Sequence, residues 1–357
     1  MMKHADATKL PLPRPRRDDP RVGTMRKLAW LGAILAGITI VLGVTVPLML
    51  SSRTSEVQAA MLVSPAPIDG ARAYGYLKQL CAMGRRVAGS DANTKQRQLV
   101  ARHFEKFGAR VTEQPFTGRD PKTEARVSMV NLVGSWNPER LSRVVIGAHY
   151  DTRPFPDEDR DPAKRKDLFL GANDGASGVA LLMELAQHLD TLPTTYGVDL
   201  VLFDGEELVY GTGPSGQVGE YFLGSKEFAR RYATAVDARK IRYRYVAGLV
   251  LDMIGDKDLT IDQEENSLAL APGLVREVWT VARQLHAAGF RNRVGQAVLD
   301  DHLPLNNAGI PTIDLIDFDY PYWHTSQDLP ENCSAASLEQ VGKVVSGWLT
   351  QPRRRGR

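Results

Sequence analysis

Four short apolar runs, Val144–Ala148, Val198–Phe203, Val246–Leu251 and Thr312–Ile316, constrain this chain more than any other feature. Runs of this length without polar alternation are strands covered on both faces, which occur where helices cross over a parallel sheet. The fourth is shorter and is interrupted by Asp314. Amphipathic helical patterns at Gly175–Leu189, Ser225–Tyr232 and Leu274–Ala288 separate them. Upstream, Ala71–Met83 and Thr94–Phe107 have helical spacing, with Leu99, Ala101, Phe104 and Phe107 marking one face of the second. Arg110–Phe116 and Val127–Val133 alternate as strands do. The pattern predicts a single α/β domain whose central sheet is mixed, mostly parallel and flanked by helices on both faces. A chain of 357 residues, 43% hydrophobic and 24% charged, can fill such a core, and its composition excludes collagen-like or disordered chains.

Charge and hydropathy set the two ends apart. Residues 1–27 carry eight Lys/Arg against three Asp, and the tail 352–357 adds four Arg. Removing the +5 and +4 of these ends from the overall +3 leaves the body at −6. An acidic body lacks the basic face that phosphate binding needs, so no nucleic-acid partner is expected. From Leu28 to Ser52 there is no charged residue, and 28–50 is almost wholly apolar. At about 1.5 Å per residue that length reaches across the roughly 30 Å bilayer core. With basic residues crowding its N-terminal side, it reads as an uncleaved signal anchor that places the bulk of the chain outside the cytoplasm. A cleaved signal peptide, with small residues at Val57–Ala60, and a buried helix are the rival readings. The expected organisation is a cytoplasmic basic tail (1–27), a transmembrane anchor (28–50), a linker (51–67), a catalytic domain (68–351) and a basic tail (352–357). Cys81 and Cys333 are the only cysteines. They read as two buried thiols, with a single bridge as the alternative.

Chemistry gathers at the ends of the strands, where doubly wound sheets bind their ligands. Val144–Ala148 runs into His149-Tyr150-Asp151, Val198–Phe203 into Asp204-Gly205-Glu206-Glu207, and Val246–Leu251 into Asp252. The fourth run leads into a loop reaching His324, and Asp174 stands just before a helix. Each alone is an ordinary strand-end, cap or surface residue. Five such groups, all at strand ends or a helix start, form the carboxylate–imidazole donor set of catalytic zinc. The adjacent pair Glu206-Glu207 also has a chemical use: neighbouring side chains diverge, so one carboxylate can bind metal while the other serves as a base. Two polar loops, Pro154–Lys166 and Gly211–Gly219, are candidate lids or plain surface excursions.

In this order, His149-Tyr150-Asp151, Gly171-Ala172-Asn173-Asp174, Asp204-Gly205-Glu206-Glu207, Leu251-Asp252 and Trp323-His324-Thr325 resemble the zinc aminopeptidase superfamily. Asp300-Asp301-His302-Leu303-Pro304, Tyr221-Phe222-Leu223-Gly224-Ser225 and Trp323 narrow the resemblance to its glutaminyl-peptide cyclotransferase branch. It spans about three quarters of the chain. The resemblance implies that Asp174, Glu207 and His324 hold zinc and that Glu206 is the general acid/base. His149 and Asp252 match the second-metal ligands of two-zinc aminopeptidases, with Asp174 bridging, so one zinc is expected and two are possible. In the cyclases Asp252 and Asp301 join a carboxylate network near the substrate amine, and Trp323 walls the pocket or packs behind His324. The chain departs from animal cyclases at Asp314, where they have His, and lacks their cysteine pair.

Three functions follow from the resemblance. The first is a membrane-anchored cyclase converting N-terminal Gln of peptides or proteins to pyroglutamate with release of ammonia. The others are a zinc aminopeptidase and an inactive binding ectodomain. Metal count separates them: one zinc favours the cyclase, two the peptidase and none the binder.

Overall fold

The computed structural model describes residues 63–210 and 219–351. The 28–50 run expected to be an anchor, the basic ends and most of the Gly211–Gly219 loop lie outside the described residues. Among the described residues no helix is long and apolar enough to cross a membrane.

Among the described residues, eight strands and eight α-helices follow one another. The strands are β1 (Arg110–Arg119), β2 (Arg126–Trp136), β3 (Ser142–His149), β4 (Gly197–Phe203), β5 (Arg244–Asp252), β6 (Ile261–Gln263), β7 (Phe290–Val294) and β8 (Thr312–Ile316). The helices are α1 (Gly70–Cys81), α2 (Asp91–Lys106), α3 (Ala176–Leu189), α4 (Leu223–Asp237), α5 (Glu265–Leu270), α6 (Pro272–Gln284), α7 (His302–Asn307) and α8 (Ala335–Leu349). Six strands form one sheet in the order β1-β2-β4-β3-β5-β8. The β1–β2 and β2–β4 pairs are antiparallel, and the β4–β3, β3–β5 and β5–β8 pairs are parallel. The sheet is therefore mixed and mostly parallel, as the apolar runs predict. β6 and β7 pair apart from it.

Helices cover both faces. α1, α3, α6 and α8 pack over one face, where Val144, Ile146, Leu200, Leu202, Leu249 and Leu251 point into the larger core. α4 and α7 cover the other, against Val145, Val201 and Phe203. The register aligns the strand ends: His149 sits opposite Phe203, and Asp252 opposite Ile316. Every residue that follows these positions emerges at one edge of the sheet.

Two local features differ from the expectation. The buried face of α2 is Asn93, Gln96, Val100 and Phe104, so only Phe104 of the expected stripe is fully enclosed. Asn93 and Gln96 are buried because they spend their amides on Asp204 Oδ1 and the Tyr150 carbonyl, a use that hydropathy does not register. The packed body also begins ahead of Ile68: Ala66 is buried and its N–H donates to Ser346 Oγ on α8. Both cysteines are buried free thiols, in agreement with the sequence reading.

Candidate active site

Four segments deliver the site. β3 ends on His149. The turn after β4 carries Glu206 and Glu207, with Gly205 ahead of them at φ +76°, a left-handed conformation that glycine adopts without strain. Asp174 occupies the turn before α3, and Gly175, at φ +96°, lets that turn pass under the Asp151 carbonyl, leaving no room for a Cβ. His324 lies in the loop after β8, itself at φ +53°. Asp174 makes no capping bond to α3, since the N-cap of that helix is Gly175; its carboxylate turns into the site instead.

The donor atoms converge there. His324 Nε2 lies 3.1 Å from Glu207 Oε1 and 3.4 Å from Asp174 Oδ2. His149 Nε2 lies 3.1 Å from Asp252 Oδ1 and 3.2 Å from Asp174 Oδ1. Two triads share Asp174: Asp174–Glu207–His324, and His149–Asp174–Asp252, each with one donor atom per residue inside a 4.8 Å span. Asp174 is 2% exposed and no donor hydrogen-bonds to its Oδ2, which faces the first triad. Glu206 stands apart from that triad, its Oε2 4.0 Å from His149 Nδ1.

Residues 131–349 match the model of peptidase family M28. The chain belongs to that family. Among solved structures it is 41% identical to a Fimbriiglobus ruber glutaminyl cyclase, over 80% of this chain and 96% of that one, with a TM-score of 0.77. A Zn-dependent exopeptidase from Parabacteroides distasonis shares 31% identity over 81% and 100% of the two chains, with a TM-score of 0.73. The glutaminyl-peptide cyclotransferase of Bothrops jararaca is 27% identical over 302 residues, 74% of this chain and 77% of that protein.

Electrostatically, this M28 site asks for positive charge. Burial opposes charge on His324, but Glu207 and Asp174 outweigh it and lift the imidazole to about 9. His149 is raised in the same sense, Asp174 and Asp252 overcoming its burial. Asp252 goes up to about 7, through burial first and then Asp300, against the pull of His149. Histidines locked as cations between carboxylates are what such a donor set becomes without metal; a divalent ion replaces those protons. The residues therefore fit a zinc-type ion.

Braces that sequence reasoning missed hold the ligand turns. Asp328 accepts from the N–H groups of Asn173 and Asp174, at 2.8 and 3.1 Å, and from the Tyr320 hydroxyl. Asp151 accepts from the N–H groups of Glu206 and Glu207, both at 3.0 Å. Arg153 forks, gripping Glu207 Oε2 at 2.6 Å and Asp157 Oδ1 at 2.7 Å. Their partners lie 54 to 155 residues away for Glu207 and Asn173, beyond the reach of any local pattern. Outer partners of metal ligands are typically worth 10–100-fold in metal affinity. Arg153→Leu is accordingly expected to lower Zn²⁺ affinity about 10–100-fold in a chelator competition; unchanged affinity would show that Glu207 is set by Asp151 alone.

A cavity of about 280 Å³ opens over the donors, lined by Glu206, Asp252, Asp300, Tyr221, Phe318 and Trp323 among others. The Trp323 ring stacks on His324, centroids 3.8 Å apart, and Trp323 also lines the cavity. The wall takes Asp300 rather than Asp301. Asp301 is fully buried and accepts a hydrogen bond from Ser225 Oγ behind the wall. The Pro154–Lys166 loop supplies no member of either triad, but its Glu158 N–H donates to the His324 carbonyl and its Asp159 binds Ser326. It buttresses the loop that carries His324.

Proposed function

We propose that this M28 member is a zinc-dependent glutaminyl-peptide cyclotransferase. The 41% identity to a glutaminyl cyclase over almost all of that chain carries the reading. Asp174, Glu207 and His324 would hold the ion, and bound zinc supplies a Lewis acid for the γ-carbonyl of an N-terminal glutamine. The rest is work for the chain's own groups. A glutamine entering the cavity brings its α-amine near Asp252 and Asp300, whose carboxylates favour the amine's approach. Phe318, Tyr221 and Trp323 enclose the side chain and restrict it to folded conformers, so amine and carbonyl meet as an intramolecular pair. Glu206 then takes a proton from the attacking amine and returns it to the amide nitrogen, which leaves as ammonia while the new C–N bond closes the ring.

Incubating the full-length chain with a Gln-initiated peptide and weighing the product tests this directly. Loss of ammonia alone is the expected result. Loss of a whole residue would instead establish an aminopeptidase, the reading that the complete His149–Asp174–Asp252 triad favours.

The pH profile carries a second expectation. Burial, followed by Glu207, pushes Glu206 well above the ordinary carboxylate range, with Asp300 and Asp301 adding to it and His149 pulling back. A base must be unprotonated, so turnover is lost as pH falls through that raised value. The acid limb of kcat should sit clearly above the roughly 4.3 of a free glutamate. An acid limb at or below that point would remove Glu206 as the base.

The apolar 28–50 run is proposed as an uncleaved anchor, with 61–357 outside the cytoplasmic membrane; its support is the Lys/Arg-rich N-terminal flank. Protease added to intact cells should release the domain, and full protection of it would reverse the topology.

A further inference from the structure

The segment 170–174, which ends on Asp174, is held from two sides by groups of opposite charge. Its N–H groups meet an anion: the Asp328 carboxylate accepts from Asn173 and Asp174, and the Asp328 carbonyl accepts from Ala172. Its carbonyls meet a cation. Arg86 Nη1 donates to the Leu170 carbonyl at 2.6 Å, and Arg86 Nη2 to the Gly171 carbonyl at 2.9 Å. Between these grips the turn is tight, since Gly171 stands at φ +55° and the Asp174 carbonyl takes the place of its missing Cβ.

Arg86 is fully buried. Among the described residues its guanidinium bonds only to carbonyls, of Gly84, Leu170 and Gly171, and its Nε has no partner. A buried cation without a bonded anion is unfavourable unless other charges hold it there. Burial lowers its proton affinity, opposed first by Cys81 and then by Asp328, Asp174 and Asp151. Cys81 is a neutral thiol at pH 7, since burial pushes it up to about 11. The acids around the metal-type donors are therefore what keeps this charge in the interior. In return, the planar fork meets two successive carbonyls at fixed angles, which an ammonium on a flexible stem does not do.

The backbone of the same residue reaches the other ligand-bearing segment. Arg86 N–H donates to Thr152 Oγ1 at 2.9 Å, and its carbonyl accepts from the Thr152 N–H at 3.3 Å. Thr152 stands between Asp151 and Arg153, three residues after His149. Simple filling of the α1–α2 connection is the competing role, and an apolar side chain would fill that space without desolvating a charge. Nor do the partners fit that role. Apart from Gly84 and Asn93, they lie 66 to 85 residues along the chain, on the two segments that carry His149 and Asp174.

We infer that Arg86 is a positioning residue for the metal centre: its fork fixes the turn of Asp174 and, through Thr152, ties that turn to the segment carrying His149. The inference rests on the zinc-binding part of the reading above and not on ring closure. Arg86→Lys tests it in the full-length chain, because lysine keeps the charge and loses the fork. With one equivalent of Co²⁺ in place of zinc, the visible absorption of the ion reports the arrangement of its ligands and not the stability of the fold. The variant should show a shifted or weakened Co²⁺ band, with circular dichroism unchanged. In a chelator competition its Zn²⁺ affinity should fall about 10–100-fold. A folded Arg86→Lys protein with the parent's band and affinity overturns the inference, even if it melts at a lower temperature. Thr152→Val gives a second reading should the lysine variant not fold. Valine keeps the methyl that lies beside Gly171 and removes only the acceptor of the Arg86 N–H. It should move the Co²⁺ band in the same sense, and an unchanged band would count against the tie. A parent chain that binds neither ion would defeat the zinc reading together with the inference, whereas loss of the cyclase reading alone leaves these results unaffected.

Discussion

Glu206→Gln is expected to lower turnover by about 10²–10⁴-fold while zinc content stays at the level of the parent protein, because general acid–base catalysis is typically worth that much. Glutamine preserves the shape and hydrogen-bonding reach of the side chain and removes only its ability to carry a proton. Glu206 lies outside the Asp174–Glu207–His324 triad, so the ion has no reason to leave. The loss should fall on kcat rather than KM, since proton transfer belongs to the transition state. Steady-state kinetics alongside elemental analysis reads both quantities. Loss of zinc from this variant would mean that the two glutamates exchange roles, and retention of both zinc and full turnover would end the general-base assignment.

Asp174→Ala has the other large expected effect. One carboxylate serves both His149 and His324, at 3.2 and 3.4 Å. Its removal takes a ligand from each triad at once and leaves two buried histidines without their counter-charge. Turnover should drop by about 10³-fold or more, given that metal polarisation is worth several kcal/mol and each 1.36 kcal/mol is a factor of ten. Zinc at the triad should be lost even at high protein concentration. Ala in place of Glu207 or His324 should behave alike, whereas His149→Ala touches only the second triad and should keep the first ion. An Asp174→Ala protein that holds triad zinc and turns over normally would dismantle the ligand assignment.

The sheet and the acids and imidazoles at its strand ends were readable because the two signals coincide in sequence. A run of fully buried apolar residues stops, and the next residue is an acid or an imidazole; β3 into His149 and β5 into Asp252 are the clearest instances. The short elements β6, β7, α5 and α7 gave no such signal. The three residues of β6 and the six each of α5 and α7 contain less than two strand or helical periods, and β7 exposes every residue but Phe290, so these elements are placed by packing rather than by periodicity. Asp300 and Asp301 show a different limit. Adjacent carboxylates point apart, as Glu206 and Glu207 do, and only the turn into α7 decides which one reaches the cavity. The braces Asp151, Arg153 and Asp328 are ordinary polar residues to any local inspection, since their meaning rests on partners from distant parts of the chain.

Those braces have a consequence for how the centre comes into being. The segment that contributes His324 also contributes Asp328, which fixes the turn of Asp174. The segment that contributes His149 also contributes Asp151 and Arg153, which fix Glu206 and Glu207, and Glu207 in turn meets His324. Each stretch of chain is at once donor and scaffold for another, and because Asp174 Oδ1 in turn meets His149 Nε2 at 3.2 Å, the dependencies close into a loop with no first member. A centre wired this way has no half-built form in which two ligands wait for the third. It should gain and lose its metal-binding competence as one cooperative event, and drift at a single brace should erode every ligand together.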